Sequence, residues 1–156
     1  MRFIVLAVGQ RMPAWIDSGF QEYARRMPRH ARIELREIRP ERRTAGSVTA
    51  RVLEAERDRI LAALPARCEA IVLDERGAAL TTAQLAAEIT RWQAEGGEVA
   101  WIIGGPDGLH PDLKRRPARL VSLSAMTLPH GLVRVLLAEQ LYRAVSLLSG
   151  HPYHRE

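Results

Sequence analysis

Apolar residues run without a break from Phe3 to Val8, as in a strand buried on both faces. Beyond Pro13, a residue suited to opening a helix, the pattern changes period. Trp15, Ile16, Phe20, Tyr23, Ala24 and Met27 recur at spacings of three and four, predicting an amphipathic helix that ends near Pro28. Ile33 to Ile38 alternates in part and predicts a second strand. Arg39 to Ser47 is polar, arginine-rich and punctuated by Pro40 and Gly46, which predicts a mobile loop. Val48, Val52, Ala55, Ile60, Leu61 and Leu64 mark a second helix before Pro65, and Ala70 to Asp74 reads as a third strand.

Thr81 with Gln84 three residues later forms a capping-box pattern, opening a helix to Glu95 that Gly96 and Gly97 stop. Val99 to Ile103 predicts a fourth strand, Pro111 to Arg116 a short helix, and Leu120 to Leu123 a fifth strand. Leu132 to Ser149 is the last helix, with Gly150 ending it. Strands and helices alternate throughout, so the fold class is α/β with a mainly parallel sheet. The last helix is apolar nearly all round: one face suits the sheet, and the other predicts a symmetric homodimer through this helix.

At 156 residues, with no repeat and no linker, residues 1–156 read as one domain. No apolar run has the length of a membrane span, and the N-terminus reads as a strand rather than a leader peptide. A lone Cys68 cannot form an internal disulfide, which points to the cytoplasm. The net charge of +5 suggests a polyanionic partner, nucleic acid first, although a basic and inert surface has the same composition. Lys114 is the one lysine among 23 basic residues. Arg25, Arg26, Arg42, Arg43, Lys114, Arg115 and Arg116 are candidates for such a contact.

Several chemistries are excluded. Gly9 stands alone after the first strand, without the remaining glycines of a dinucleotide fingerprint. No phosphate-binding P-loop occurs, and no His/Cys cluster has zinc spacing, so no metal is expected. What remains are two loops at predicted strand ends, where α/β sheets bind ligands. Gly104-Gly105-Pro106-Asp107-Gly108 allows close backbone approach, or simply makes a tight turn. Ser124-Ala125-Met126-Thr127-Leu128 is unusually apolar for a loop. Together they predict a dry slot for a flat neutral ring such as adenine. His130, at the entry to the last helix, either orients a ligand or caps that helix. Glu139 and Arg143 share one helix face, either as a structural ion pair or, at a dimer seam near the tail, as groups that reach a substrate.

The segments IIGGPDG, LSAMTLPHGLVRVLLAEQLYRA and the terminal HPYHRE, together with AVGQRMPAWIDSGFQEYARRMP near the start, resemble the ribosomal RNA large-subunit methyltransferase H family. This is the minimal branch of the SPOUT methyltransferases, and the resemblance runs from end to end. It implies a parallel sheet with a C-terminal trefoil knot and a homodimer through the knot and last helix. It implies S-adenosyl-L-methionine as methyl donor, held by Leu73, Gly104, Gly105, Leu123, Ser124, Ala125, Met126, Thr127 and Leu128.

The activity implied is methylation of N3 of a pseudouridine in large-subunit (23S) ribosomal RNA, on assembled ribosomes. The tail 151–156 then supplies the catalytic residues Tyr153, His154 and Arg155, completing a site on the partner protomer. Two positions depart from the family's usual pattern. Gly131 stands where relatives often carry proline, implying a looser loop, and the Arg39 to Ser47 loop is arginine-based where relatives are often lysine-rich. Two other functions remain open: a non-catalytic RNA- or ribosome-binding dimer, and a nucleotide-binding enzyme using the glycine loop for phosphate.

Overall fold

The computed structural model describes residues 1–115 and 119–155; Arg116 and Glu156, named above as a contact candidate and as part of the tail, lie outside the described residues. The elements follow in the order β1 (Arg2–Val8), α1 (Ala14–Arg26), β2 (Arg32–Ile38), α2 (Thr49–Ala63), β3 (Cys68–Ala79), α3 (Thr82–Glu95), β4 (Glu98–Ile103), α4 (Pro111–Arg115), β5 (Arg119–Ser122) and α5 (His130–Leu148). A 3₁₀ turn, Pro152–Arg155, closes the described chain. The strands form one parallel sheet in the order β2-β1-β4-β3-β5.

The unbroken apolar run of β1 has a direct cause. Phe3, Val5 and Ala7 point into a core shared with α1, α3 and α5, while Ile4, Leu6 and Val8 point into a core that includes Ile60 of α2 and Leu113 of α4. A parallel strand covered on both faces has no solvent side on which to place polar residues. Trp92 of α3 meets Trp101 of β4 edge-on, ring centroids 6.2 Å apart, within the first of these cores. The capping box is present as read: Gln84 N donates to Thr81 Oγ1, Thr81 N donates to Gln84 Oε1, and Gly96 closes α3 in the left-handed region at φ 68°.

One strand is longer than its sequence suggests. The expected Ala70 to Asp74 is only the middle of β3, which continues through Glu75, Arg76 and Gly77 to Ala79. Its register against β5 shifts between Leu73 and Ala78, so the added residues bulge and then pair again with Val121 and Ser122. Charged Asp74-Glu75-Arg76 disguises the continuation because a bulge needs no alternation. Gly77 permits the re-pairing, since a Cβ there would lie 2.6 Å from Val121 N and 2.7 Å from the Leu120 carbonyl carbon.

α5 lies between α1 and α3 on one face of the sheet. Arg134, Leu137, Leu141, Ala144 and Val145 are buried, while Leu132, Val135 and Leu136 are half-buried. The chain's own helices thus cover part of the second apolar face for which the sequence alone demanded a partner.

The Gly77 contact is with backbone, which cannot swing aside. Gly77→Ala is therefore expected to cost about 1–3 kcal/mol, the usual penalty for overpacking. Gly97→Ala, where nothing lies within 4 Å, should stay within ~0.5 kcal/mol. Urea midpoints of the two variants check the difference; equal midpoints would remove the role assigned to Gly77.

Candidate active site

Parallel α/β sheets gather their ligand-binding loops at the carboxyl ends of the strands. There a cavity of about 570 Å³ opens between the ends of β3, β4 and β5 and the first turn of α5. Leu73, Gly104, Gly105, Leu123, Ser124, Met126, Thr127 and Leu128 all line it. Ala125, grouped with them by resemblance, is exposed and is not part of the lining.

Each wall is shaped locally. Gly108 N donates to Gly105 O at 3.0 Å, closing a turn over Pro106 and Asp107 with Gly108 at φ 78°. A Cβ on Gly104 would approach Gly108 O to 2.9 Å, so this glycine serves the turn itself. In the second loop Ser122 Oγ donates to Ser124 O at 2.8 Å, and Met126 N donates to Ser124 Oγ at 2.9 Å. Thr127 Oγ1 then donates to Glu75 Oε2 at 2.8 Å, tying this loop to the β3 extension.

The dry slot read from the sequence is in fact a mixed one. Asp74, Glu75, Arg76, Lys114 and His130 share the lining, and Met126 is 77% exposed. The β3 bulge is the reason, because it carries Asp74 to Arg76 past the strand end and along the wall. Lys114 Nζ lies 2.5 Å from Asp74 Oδ2, and Arg76 N donates to Asp74 Oδ1 at 2.8 Å. Burial pushes the Asp74 carboxyl up, but Lys114 and the Arg76 amide outweigh it and hold the group below its ordinary range. Lys114, a candidate for phosphate contact, is thus engaged inside the cavity. The run Asp74-Glu75-Arg76 directly after an apolar strand was the available signal for this wall.

Behind the cavity sits a residue the sequence reading passed over. Arg134 is fully buried in α5. Its Nη1 donates to Glu37 Oε2 at 2.7 Å, and its Nη2 to Gly9 O at 2.9 Å. It therefore clamps the ends of β2 and β1 to α5. Its spacing of three, four and seven residues from Leu137, Ala138 and Leu141 was the signal that it faces inward. Gly9 has φ 132°, and a Cβ there would lie 3.2 Å from Arg134 Nη2 and 3.6 Å from His130 Nε2. A Cβ on Gly131 would meet Met12 Sδ at 3.2 Å, so the entry to α5 is closely packed where a looser loop was expected. His130 opens α5 without making a side-chain cap, which leaves it free to face the cavity. Burial, then the charges of Arg134 and Arg43, push its imidazole below the ordinary value, so it is neutral at pH 7.

The Arg39 to Ser47 segment, expected to be mobile, is tethered. Arg43 pairs with Asp107 of the glycine turn and, at 2.9 Å, with Glu56 Oε1 on α2. Glu56 is buried, so it needs that cation. Arg26 pairs with Glu22. Of the basic candidates, Arg25, Arg42 and Arg115 are exposed, and their guanidiniums have no carboxylate partner among the described residues.

The tail lies elsewhere. Tyr153 stacks at a tilt on Tyr142, centroids 4.7 Å apart, under the Arg143 guanidinium at 4.8 Å. Its hydroxyl donates to Glu139 Oε1 at 3.2 Å, and Glu139 accepts from Arg143 Nε at 2.7 Å. Burial, then hydrogen bonding with Tyr23, and Glu139 push the phenol well above its ordinary value, so it stays protonated. His154 Nδ1 contacts His151 O, and Arg155 is exposed. None of Tyr153, His154 and Arg155 lines the cavity of its own chain. The 19 residues of α5 carry the chain about 28 Å from that cavity before it turns back.

The Arg134 clamp makes an ordered pair of expectations. Glu37→Ala strands a buried guanidinium and should cost on the order of 3 kcal/mol. Arg134→Met leaves the Gly9 carbonyl without its donor and should cost ~1–3 kcal/mol, the smaller loss. Thermal or urea unfolding of both variants checks this; the reverse order would show that the pair is not what anchors α5.

Three comparisons bear on this arrangement. A family model described as "Predicted SPOUT methyltransferase" matches residues 1–154. The chain is 59% identical over 155 residues to ribosomal RNA large subunit methyltransferase H of Nitrosospira multiformis, covering 99% of both chains. The proteins of the same name from Ralstonia pickettii and Burkholderia cenocepacia are each 57% identical, again with 99% of both chains covered. A crystal structure of a methylase family protein from Neisseria gonorrhoeae shares the fold, with TM-score 0.52 and 16% identity over 90% of this chain and 80% of that one. Matched along almost its whole length, and with its cavity where the strand-end loops converge, this chain belongs to the SPOUT methyltransferase family.

Proposed function

We propose that this protein transfers a methyl group from S-adenosyl-L-methionine to N3 of a pseudouridine in large-subunit (23S) ribosomal RNA, acting on assembled ribosomes in the cytoplasm. The observation that carries the reading is the strand-end cavity, on whose walls eight of the nine expected cofactor residues meet. The relatives' names supply the class of acceptor.

The residues present fit the donor. Leu73, Leu123, Leu128 and Val133 offer apolar walls to an adenine ring, and the neutral His130 does not repel a cation. Glu75 retains acceptor capacity beyond its bond from Thr127, enough for a hydroxyl or ammonium group. When bound, S-adenosyl-L-methionine supplies an electrophilic methyl on a sulfonium. The chain's own contribution is to orient the acceptor, exclude water and manage the departing N3 proton. A base drawn out of its stack is the form that reaches such a site.

The same reading includes the homodimer, the trefoil knot and a composite site. Half-buried Leu132, Val135 and Leu136 on α5, with exposed Trp15 on α1, offer apolar surface to a second copy. β5 lies on the opposite side of β3 from β4, so the connection between β4 and β5 crosses β3, as a threaded sheet requires. Because the tail does not reach the cavity of its own chain, Tyr153, His154 and Arg155 act on the partner's cavity in this reading. There Tyr153 donates or stacks as a neutral phenol, and Arg155 meets phosphate. Exposed Arg25, Arg42 and Arg115 provide further phosphate contacts.

The test uses methyl-labelled S-adenosyl-L-methionine and ribosomes that lack this modification. Label at N3 of one large-subunit pseudouridine is the expected result. Binding of S-adenosylhomocysteine without transfer would instead make the protein a non-catalytic ribosome-binding dimer. Ending the chain after His151 should reduce transfer by ~10²-fold or more while leaving S-adenosylhomocysteine affinity near that of the full chain. Undiminished transfer would remove the tail from the chemistry.

A further inference from the structure

Asp74, Glu75 and His130 are cavity-lining side chains that carry a lone pair able to accept a proton from a bound group. Two of the three are engaged. Asp74 is held by Lys114 and the Arg76 amide, and Glu75 accepts from Thr127. His130 has no hydrogen-bond partner among the described residues. Its position is nonetheless firm: it begins the first turn of α5, which the Arg134 clamp fixes to Gly9 and Glu37 one helical turn further on. Gly9 lies beside its ring, where a Cβ would stand 3.6 Å from His130 Nε2.

We infer that His130 is a catalytic residue of this cavity: it accepts the proton that leaves the acceptor nitrogen as the methyl group arrives. This rests on the methyl-transfer reading above, and it gives the proton a destination that does not depend on the tail. The balance is simple. The sulfur–methyl bond breaks and its electron pair stays on sulfur as a neutral thioether. The nitrogen–methyl bond forms from the nitrogen's electrons, and the proton from that nitrogen passes to the imidazole.

The surroundings suit a transient acceptor. Arg134 on the same helix and Arg43 on the 39–48 loop are cations whose charge acts on the ring, and both are tied to carboxylates, Glu37 for one and Asp107 with Glu56 for the other. Across the cavity stand Asp74, Glu75 and Arg76 at the end of β3 and Lys114 on α4. Before reaction the imidazole is neutral, with a free lone pair and no charge to repel a sulfonium. After reaction the imidazolium faces two guanidiniums, so its proton passes readily to water and the base is restored.

His130→Gln tests the assignment, because glutamine keeps polarity and hydrogen bonding but cannot take a proton. In single-turnover transfer to unmodified ribosomes it should be slower by about 10²–10⁴-fold. Calorimetry should show S-adenosylhomocysteine affinity within ~3-fold of the parent chain. The parent rate should fall on the acid side, below the ordinary imidazole value, and the variant's residual rate should lose that limb. In the free protein, ¹⁵N NMR should show the His130 ring titrating below its ordinary value.

A variant within ~3-fold of the parent rate overturns the inference. An affinity loss as large as the rate loss also overturns it, making His130 a cofactor contact, and so does a ring that titrates above its ordinary value. If the parent chain itself transfers no methyl, the underlying reading fails, and His130 loses its role with it.

Discussion

Much of the site depends on one buried guanidinium. A charge in the interior is tolerated only where its partners meet it, so Arg134 constrains where everything around it can be. It needs Glu37 from the end of β2 and a carbonyl from the loop after β1, and both must come to the first turns of α5. Gly9 can offer that carbonyl at φ 132° because it carries no side chain to crowd the guanidinium, 3.2 Å from where a Cβ would stand. The entry of α5, and with it one wall of the cavity, is thereby tied to two strands distant in sequence.

A second set of ion pairs does similar work on the opposite wall. Arg43 links the glycine turn to buried Glu56, and Lys114 links α4 to Asp74 at the end of β3. These pairs stitch together segments that carry few apolar residues of their own. The loops around the cavity are therefore held by charge, while the sheet beneath is held by burial. The division suits the proposed reaction, which brings a small apolar ring and a polyanionic acceptor to one site.

The tail has a different logic. Tyr153 buries its ring against Tyr142 and gives its hydroxyl to Glu139, an arrangement too well satisfied for a fraying end. That cluster lies partway along α5, away from the cavity of its own chain. A functional tail there makes sense only if another chain's cavity comes to it. The half-buried apolar residues of α5 bear on the same point, because α1 and α3 cover only part of that helix.

Much of this was legible from the chain alone, for identifiable reasons. β1 showed itself because a strand covered on both faces must be apolar throughout. α3 showed itself because a capping box and a left-handed glycine are local in sequence. The two cavity loops showed themselves because they interrupt apolar runs with residues poor at forming strands. What tertiary structure alone decided involves partners far apart in the chain. The continuation of β3 through Asp74-Glu75-Arg76 depends on β5 re-pairing beyond the bulge, and those charges turned an expected dry slot into a mixed one. The tethering of the Arg39 to Ser47 segment depends on Asp107, more than sixty residues away. Spacing within α5 tells that Arg134 faces inward, but not that Glu37 and Gly9 meet it there. Local pattern dictates which face of an element is apolar, but which charges meet across the fold is settled only when distant segments pack.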